Sequence, residues 1–168
     1  MLMRNARIDK VTINIGAGEG GAKLEKAVLL LNKLTGRKPV KTKTMKRIPT
    51  FGVRPNMSIG TMVTLRGKDA FEFLKKALAA KANKIKIKSI DKNGNFSFGI
   101  KEYIDIPNVR YDPEIGVFGM DICVTMGKPG YRVKKRRVKT AKIGQKHLLT
   151  KNDTITYLKE NFGVEVYK

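Results

Sequence analysis

Thr12–Leu34 reads TINIGAGEGGAKLEKAVLLLNKL. Just upstream and into it, Val11, Ile13 and Ile15 alternate with Lys10, Thr12 and Asn14, the period of a half-buried strand. Gly16, Gly18 and Gly21 then spell G-x-G-x-x-G, and residues 22–35 carry Leu24, Ala27, Val28, Leu31 and Leu34 at helical spacing, with Gly36 as a stop. Strand, glycine turn and helix is the order of a dinucleotide-binding unit. Such a unit also needs an acid about 20 residues further on to hold the ribose hydroxyls. Here that region is KPVKTKTMKRI, and no acid occurs in the 43 residues from Lys26 to Lys68. The glycines therefore read as mechanical. They allow a tight strand-to-helix turn and leave a surface that another backbone can approach closely.

Working outward, PVKTKTMK reads as a second strand beginning at Pro39, RIPTFGVRPN as a loop, and SIGTMVTLRG as a third strand. In that strand Thr61, Val63 and Leu65 share one face, and Met62, Thr64 and Arg66 the other. KDAFEFLKKALAAK predicts a helix capped near Asp69, with Ala70, Phe73, Leu74, Ala77 and Leu78 inward. DKNGN reads as the turn of a hairpin joining KIKIKSI to FSFGIKEY, and GMDICVTM as a further strand. A helix follows from Asn152 or Asp153 to Phe162, ended by Gly163. Helices with a single apolar stripe cover only one face of such a sheet. The expected fold is α+β: a largely antiparallel sheet with helices packed on one face and an open basic face for RNA. A length of 168 residues fits one RNA-binding domain, residues 1–168, with an extended loop 47–56 and a basic segment 127–147.

The charge is extreme: 36 Lys+Arg against 14 Asp+Glu, a net +22. It is also unevenly placed. Lys26–Lys68 holds eleven basic residues and no acid, and Ile122–Asn152 holds ten and no acid. Solvated faces usually mix signs, so acid-free stretches of this length favour a polyanionic partner. The Thr and Asn groups of the polar sheet face suit RNA hydroxyls and phosphates, and without paired aromatics the expected target is folded RNA recognised by shape. The N-terminus lacks the apolar core of a signal peptide and no run is long enough to span a bilayer, so the expectation is a cytosolic chain with no membrane partner.

Catalytic readings find little support. His147 is the only histidine and Cys123 the only cysteine, so neither a multi-histidine metal cluster nor a disulfide framework can be assembled. Cys123, between Ile122 and Val124, reads as a small buried hydrophobe. Asp112 and Glu114 flank Pro113 without a partner, and KPGYRVKKRRVKT lacks the phosphate-loop pattern. The chain is read as a non-enzyme, with no cofactor and no metal.

The blocks KVTINIGAGEGG, GRKPVKTK, IGTMVTLRG with FEFL, NFSFGIKEY and YDPEIGVFGMDI occur in an order that resembles the universal large-subunit ribosomal protein L five family, over nearly the whole chain. The ending, KPGYRVKKRR through HLLTKNDTITYLKENFGVEV, resembles the archaeal and eukaryotic branch. The resemblance implies a ribosomal location and 5S rRNA binding in the central protuberance. For the sites it implies Asn14 and Thr64 as RNA contacts, with Lys38, Thr42 and Lys43 beside them and Arg66 closing the third strand. Arg37 stands where members outside this branch usually carry glutamine. The loop 47–56, with Arg47, Phe51 and Arg54, matches a loop that reaches toward the P-site tRNA. Arg132, Lys134, Lys135, Arg136, Arg137 and Lys139 are expected to touch other rRNA. Implied neighbours are large-subunit rRNA, another 5S-binding protein and a small-subunit head protein. The competing reading is a general basic RNA-binding or RNA-chaperone protein outside the ribosome.

Overall fold

The alternation at the start of the chain forms β1, Arg7–Gly16. A computed structural model describes Met3, residues 5–18 and residues 20–167; Glu19, inside the glycine turn, lies outside the described residues. Val11, Ile13 and Ile15 are buried to within 1% of complete burial, whereas Lys10, Thr12 and Asn14 are only half-buried. After Gly16 the chain leans on the third strand, β3 (Ser58–Leu65): the N–H groups of Ala17 and Gly18 donate to the Ile59 carbonyl at 2.9 and 3.1 Å. Gly18 and Gly21 take φ of 73° and 102°, and a Cβ on Gly20 would stand 3.3 Å from the Ser58 carbonyl oxygen. The backbone that the glycines admit is the protein's own third strand.

Helix α1, Ala22–Thr35, starts from Gly21 and ends on Gly36 in the left-handed region. Its buried residues are Leu24, Ala27, Leu30 and Leu31; Leu30 belongs to the stripe in addition to the expected positions, and Val28 and Leu34 lie at its margin. Strand β2, Val40–Lys43, is shorter than the sequence suggested. Helix α2, Gly67–Ala80, buries Ala70, Phe73, Leu74, Ala77 and Leu78, the five expected positions. Its N-cap is Arg66 and not Asp69, which lies in the first turn, where its carboxylate faces the positive end of the helix dipole.

Strands β5 (Phe96–Ile100) and β6 (Met120–Gly127) complete a sheet of order β2-β3-β1-β6-β5 in which every neighbouring pair is antiparallel. Helices α1 and α2 cover its apolar face and share one hydrophobic core with the strands. The class is α+β.

The expected hairpin around DKNGN is only half correct. The turn forms, with the Asp91 carboxylate accepting from the N–H groups of Asn93 and Asn95, both at 2.8 Å. Its upstream arm departs after the single bridge Ile90–Phe96. Strand β4, Lys84–Lys86, pairs instead in parallel with β7, Glu165–Tyr167, at the far end of the chain. Between them in sequence lie the one-turn helix α3, Arg132–Lys135, and α4, Lys151–Phe162. Helix α4 opens with a reciprocal cap between Thr150 and Asp153 and ends on left-handed Gly163.

The DKNGN turn docks on α4: the Thr154 hydroxyl, fully buried, donates to the Gly94 carbonyl at 2.8 Å. Gly94 has φ 75°, and a Cβ there would lie 2.4 Å from the Thr154 hydroxyl oxygen and 2.6 Å from a Leu149 methyl. Gly94→Ala combines left-handed strain with overpacking and is expected to cost about 2–4 kcal/mol in chemical denaturation. A shift within about 0.5 kcal/mol, the range of ordinary surface substitutions, would show that this turn is not clamped to α4.

Candidate nucleic-acid interface

The face of the sheet opposite α1 and α2 carries no helix among the described residues. Register places its side chains in rows across the strands. One row runs Thr64, Thr12, Cys123 and Ser97; the next runs Val40, Met62, Asn14, Asp121 and Gly99. Thr42 sits opposite Gly60 on the same face, and Lys10 opposite Thr125. An irregularity between Thr42 and Lys43 sets Lys43 opposite Ser58, which shares the face of Met62 and Thr64.

Two expectations need correction here. Cys123 is exposed on this open face, because Ile122 and Val124 take the core side of β6. The face is also less basic than expected. Its middle is small and neutral, with Thr12, Asn14, Thr64, Ser97 and Cys123 beside one carboxylate, Asp121. Apart from Lys10, the cations gather at the β2–β3 border. There Arg37, Lys38, Thr64 and Arg66 line one shallow depression of about 500 Å³, together with Val40, Met62 and Asp69. The alternation of β1 places Lys10 and Thr12 on this face with Asn14, but the family resemblance implies only Asn14 as a contact. Asp121 had no comparable signal, since it becomes Asn14's neighbour only through strand pairing.

Three of the basic candidates hold internal carboxylates. Arg37 donates to Asp69 through Nε at 3.1 Å and Nη2 at 2.5 Å. Arg66 Nη1 lies 3.6 Å from the Asp9 carboxylate, which Lys135 also binds. Asp9 thus joins the end of the sheet face to the basic segment, and its hydrogen bond from Lys135 holds its carboxyl below the usual carboxylate range. The basic side chains of these pairs are about 60% exposed. Pairs in that position are weak, about 0–1 kcal/mol, so a phosphate can displace the carboxylate at little cost.

The connection from β2 to β3 contains the loop 47–56. Its base is closed by Thr44 N–H to the Met57 carbonyl at 2.9 Å and Asn56 N–H to the Thr44 carbonyl at 2.8 Å. Ile48 and Val53 form a bridge across the loop, Pro49–Phe51 make one tight turn, and Gly52 reverses the chain. Val53 is buried, so part of the loop's apolar content is structural; Phe51 projects from the turn, 76% exposed, with Arg47 and Arg54 exposed nearby in sequence.

Residues 2–54 match the family model described as ribosomal protein L5, and residues 58–157 match the model for the C-terminus of the same ribosomal family. The large ribosomal subunit protein uL5 of Sulfurisphaera tokodaii is 52% identical over 165 residues, covering 98% of this chain and 93% of its own length. Its counterpart in Nanoarchaeum equitans is 50% identical over 165 residues, covering 98% and 97%. That of Methanococcus aeolicus is 48% identical over 167 residues, covering 98% and 92%. The chain belongs to the ribosomal protein L5 family. This is a family of structural ribosomal proteins.

In this L5-family chain the segment 127–147 lies against the end of the sheet. Arg132, Lys134, Lys135, Arg136, Arg137 and Lys139 are all exposed along it. The two ends of the segment are held together. Lys128, 11% exposed at its side chain, donates to the Leu148 carbonyl at 3.3 Å and to the Asp153 carboxylate at 2.7 Å. The Tyr131 hydroxyl accepts from Leu149 N–H at 2.8 Å and donates to the His147 carbonyl at 3.3 Å. His147 Nε2 lies 2.8 Å from the Pro129 carbonyl oxygen.

The Lys128 ammonium, followed by the Thr150 N–H, keeps the Asp153 carboxyl below its ordinary range, against the opposing effect of burial. A lowered folded-state value contributes stability that is present above about pH 4, the unfolded carboxyl value, and is lost as pH falls through the lower folded value. Asp153→Asn is therefore expected to destabilise the chain at pH 7 and to flatten the acid limb of its stability profile below about pH 4. Parallel profiles for the two proteins in denaturant titrations across about pH 2–7 would remove the pair from the account.

Proposed function

We propose that this chain is a structural protein of the large ribosomal subunit that binds 5S rRNA on the open face of its sheet and anchors that RNA in the central protuberance. The observation that carries the reading is the face itself: small hydrogen-bonding side chains in cross-strand rows, bordered on the β2–β3 side by cations. Asn14 and Thr64 supply hydrogen bonds to ribose and base edges. Thr42 extends that set along β2, and Arg37, Lys38, Lys43 and Arg66 neutralise the flanking phosphates. That its relatives carry the name of large-subunit proteins supports the location.

Two further surfaces extend the role. The loop 47–56 presents Phe51 with Arg47 and Arg54 to the P-site tRNA, with the aromatic ring available for stacking and the guanidinium groups for the backbone. The basic segment, through Arg132, Lys134, Lys135, Arg136, Arg137 and Lys139, contacts large-subunit rRNA. Another 5S-binding protein and a protein of the small-subunit head complete its surroundings. Each phosphate neutralised releases counterions, so the logarithm of the binding constant falls linearly with the logarithm of salt concentration.

Binding to 5S rRNA is expected to exceed binding to duplex DNA of equal charge at the same ionic strength. Asn14→Ala and Thr64→Ala are each expected to weaken 5S binding by about 1 kcal/mol or more, the scale of a lost hydrogen bond. Equal affinity for the two nucleic acids favours a general RNA-binding or chaperone protein. Unchanged 5S affinity in both variants moves the site off this face.

A further inference from the structure

Between the basic segment and the end of the sheet lies a cavity of about 420 Å³, within the span of small-ligand sites, about 300–1,000 Å³. Its floor is apolar: Met126 and Leu149 are buried, Ile143 is half-buried and Leu148 is 40% exposed. Its rim is cationic. Arg7, Arg132 and Lys134 stand there without a carboxylate partner among the described residues, and the one acid lining the cavity, Asp9, is taken up by Lys135 and Arg66. The side-chain amide of Asn93, also at the wall, makes no hydrogen bond among the described residues. The Tyr131, His147 and Lys128 contacts described above tie the two ends of the segment together, so the walls are formed before any ligand arrives.

An apolar floor, an exposed amide and a rim of cations without carboxylate partners among the described residues together favour one chemistry. The flat face of a nucleobase fits the floor, its hydrogen-bonding edge fits the amide, and its flanking phosphates fit the cations. A continuous duplex cannot present this set, since its bases are stacked inside, and a lone phosphate leaves the floor empty. We propose that this cavity receives one unstacked nucleotide of an RNA partner, with the base against Ile143 and Leu148 and its phosphates on Arg7, Arg132 and Lys134. The inference rests on the reading of the chain as an RNA-binding protein, but that reading does not require a nucleotide pocket.

The test titrates the full chain with two RNA hairpins of matched stem, one fully paired and one carrying a single bulged 2-aminopurine. The bulged RNA is expected to bind about tenfold more tightly, on the scale of one sequestered base, with a change in 2-aminopurine fluorescence. Ile143→Asn removes the apolar floor without altering charge or offering a ring on which a base could stack. It is expected to abolish both the preference and the fluorescence change while leaving affinity for the paired hairpin intact. Arg132→Gln, an exposed change with little bearing on folding, is expected to weaken the bulged complex about three- to tenfold and to reduce its salt slope by about one. Equal binding of the two hairpins with a silent reporter overturns the nucleotide site and leaves the RNA-binding reading standing. No binding of either RNA overturns both. Saturable binding of an Asp/Glu-rich peptide that Ile143→Asn removes, without any bulge preference, overturns the site in favour of a protein segment.

Discussion

β1 is hydrogen-bonded along both edges, to β3 on one side and β6 on the other, and its residues alternate strictly between apolar and polar from Lys10 to Ile15. These two properties constrain the rest of the molecule. A central strand cannot slip by one residue without exchanging Val11, Ile13 and Ile15 for Lys10, Thr12 and Asn14 in the core. The apolar side requires a cover, which α1 and α2 provide, and the glycine turn at the end of β1 is what sends α1 to that side. The polar side is then left open by the same geometry that closes the other. The proposed RNA surface is thus the unfilled half of a one-sided sheet.

Charge and shape divide the work on that open half. In the proposed interface the nearly neutral middle of the face would attract RNA weakly and discriminate through hydrogen bonds. The cations at the β2–β3 border and along 127–147 would then supply attraction without much discrimination. Several of them rest on carboxylates in the free protein, Arg37 on Asp69 and both Arg66 and Lys135 on Asp9. Such exposed pairs hold long side chains near their working positions and give way to phosphate at little cost. Asp9 is central to this arrangement because it ties the sheet border and the basic segment into one continuous surface.

Much of this was legible in the chain because the signals are local. The stripe of α2 is fixed by 3.6-residue spacing, the faces of β1 and β3 by alternation, and the ends of α1 and α4 by Gly36 and Gly163. What escaped depends on distant pairing. The Lys–Ile alternation of residues 84–90 suits a strand, but only Lys84–Lys86 form one before Ile87–Ser89 coil into a single tight turn, and its partner is β7 at the end of the chain and not the adjacent β5. Asp121 meets Asn14, and Asp9 meets Lys135, only after the sheet is assembled. Cys123 is different: the outward position followed from Ile122 and Val124 flanking it in an alternating strand, and the small size and apolar habit of cysteine outweighed that signal. The cavity beside the basic segment had no local signal, since its floor and rim come from β1, β6, the DKNGN turn and both ends of the segment.

The position of Cys123 also supplies the most direct test of the central claim. It is the only cysteine of the chain, exposed in mid-face between Thr12 and Ser97. The rate of maleimide labelling of the folded chain can be compared in its free form, with 5S rRNA and with an equal charge of duplex DNA, all at one ionic strength. If 5S rRNA sits on the open sheet face, saturating 5S rRNA slows labelling by at least about tenfold, the factor that occlusion worth about 1.4 kcal/mol would give, and the DNA does not. Unchanged labelling of Cys123 under saturating 5S rRNA would place the RNA elsewhere and contradict the account.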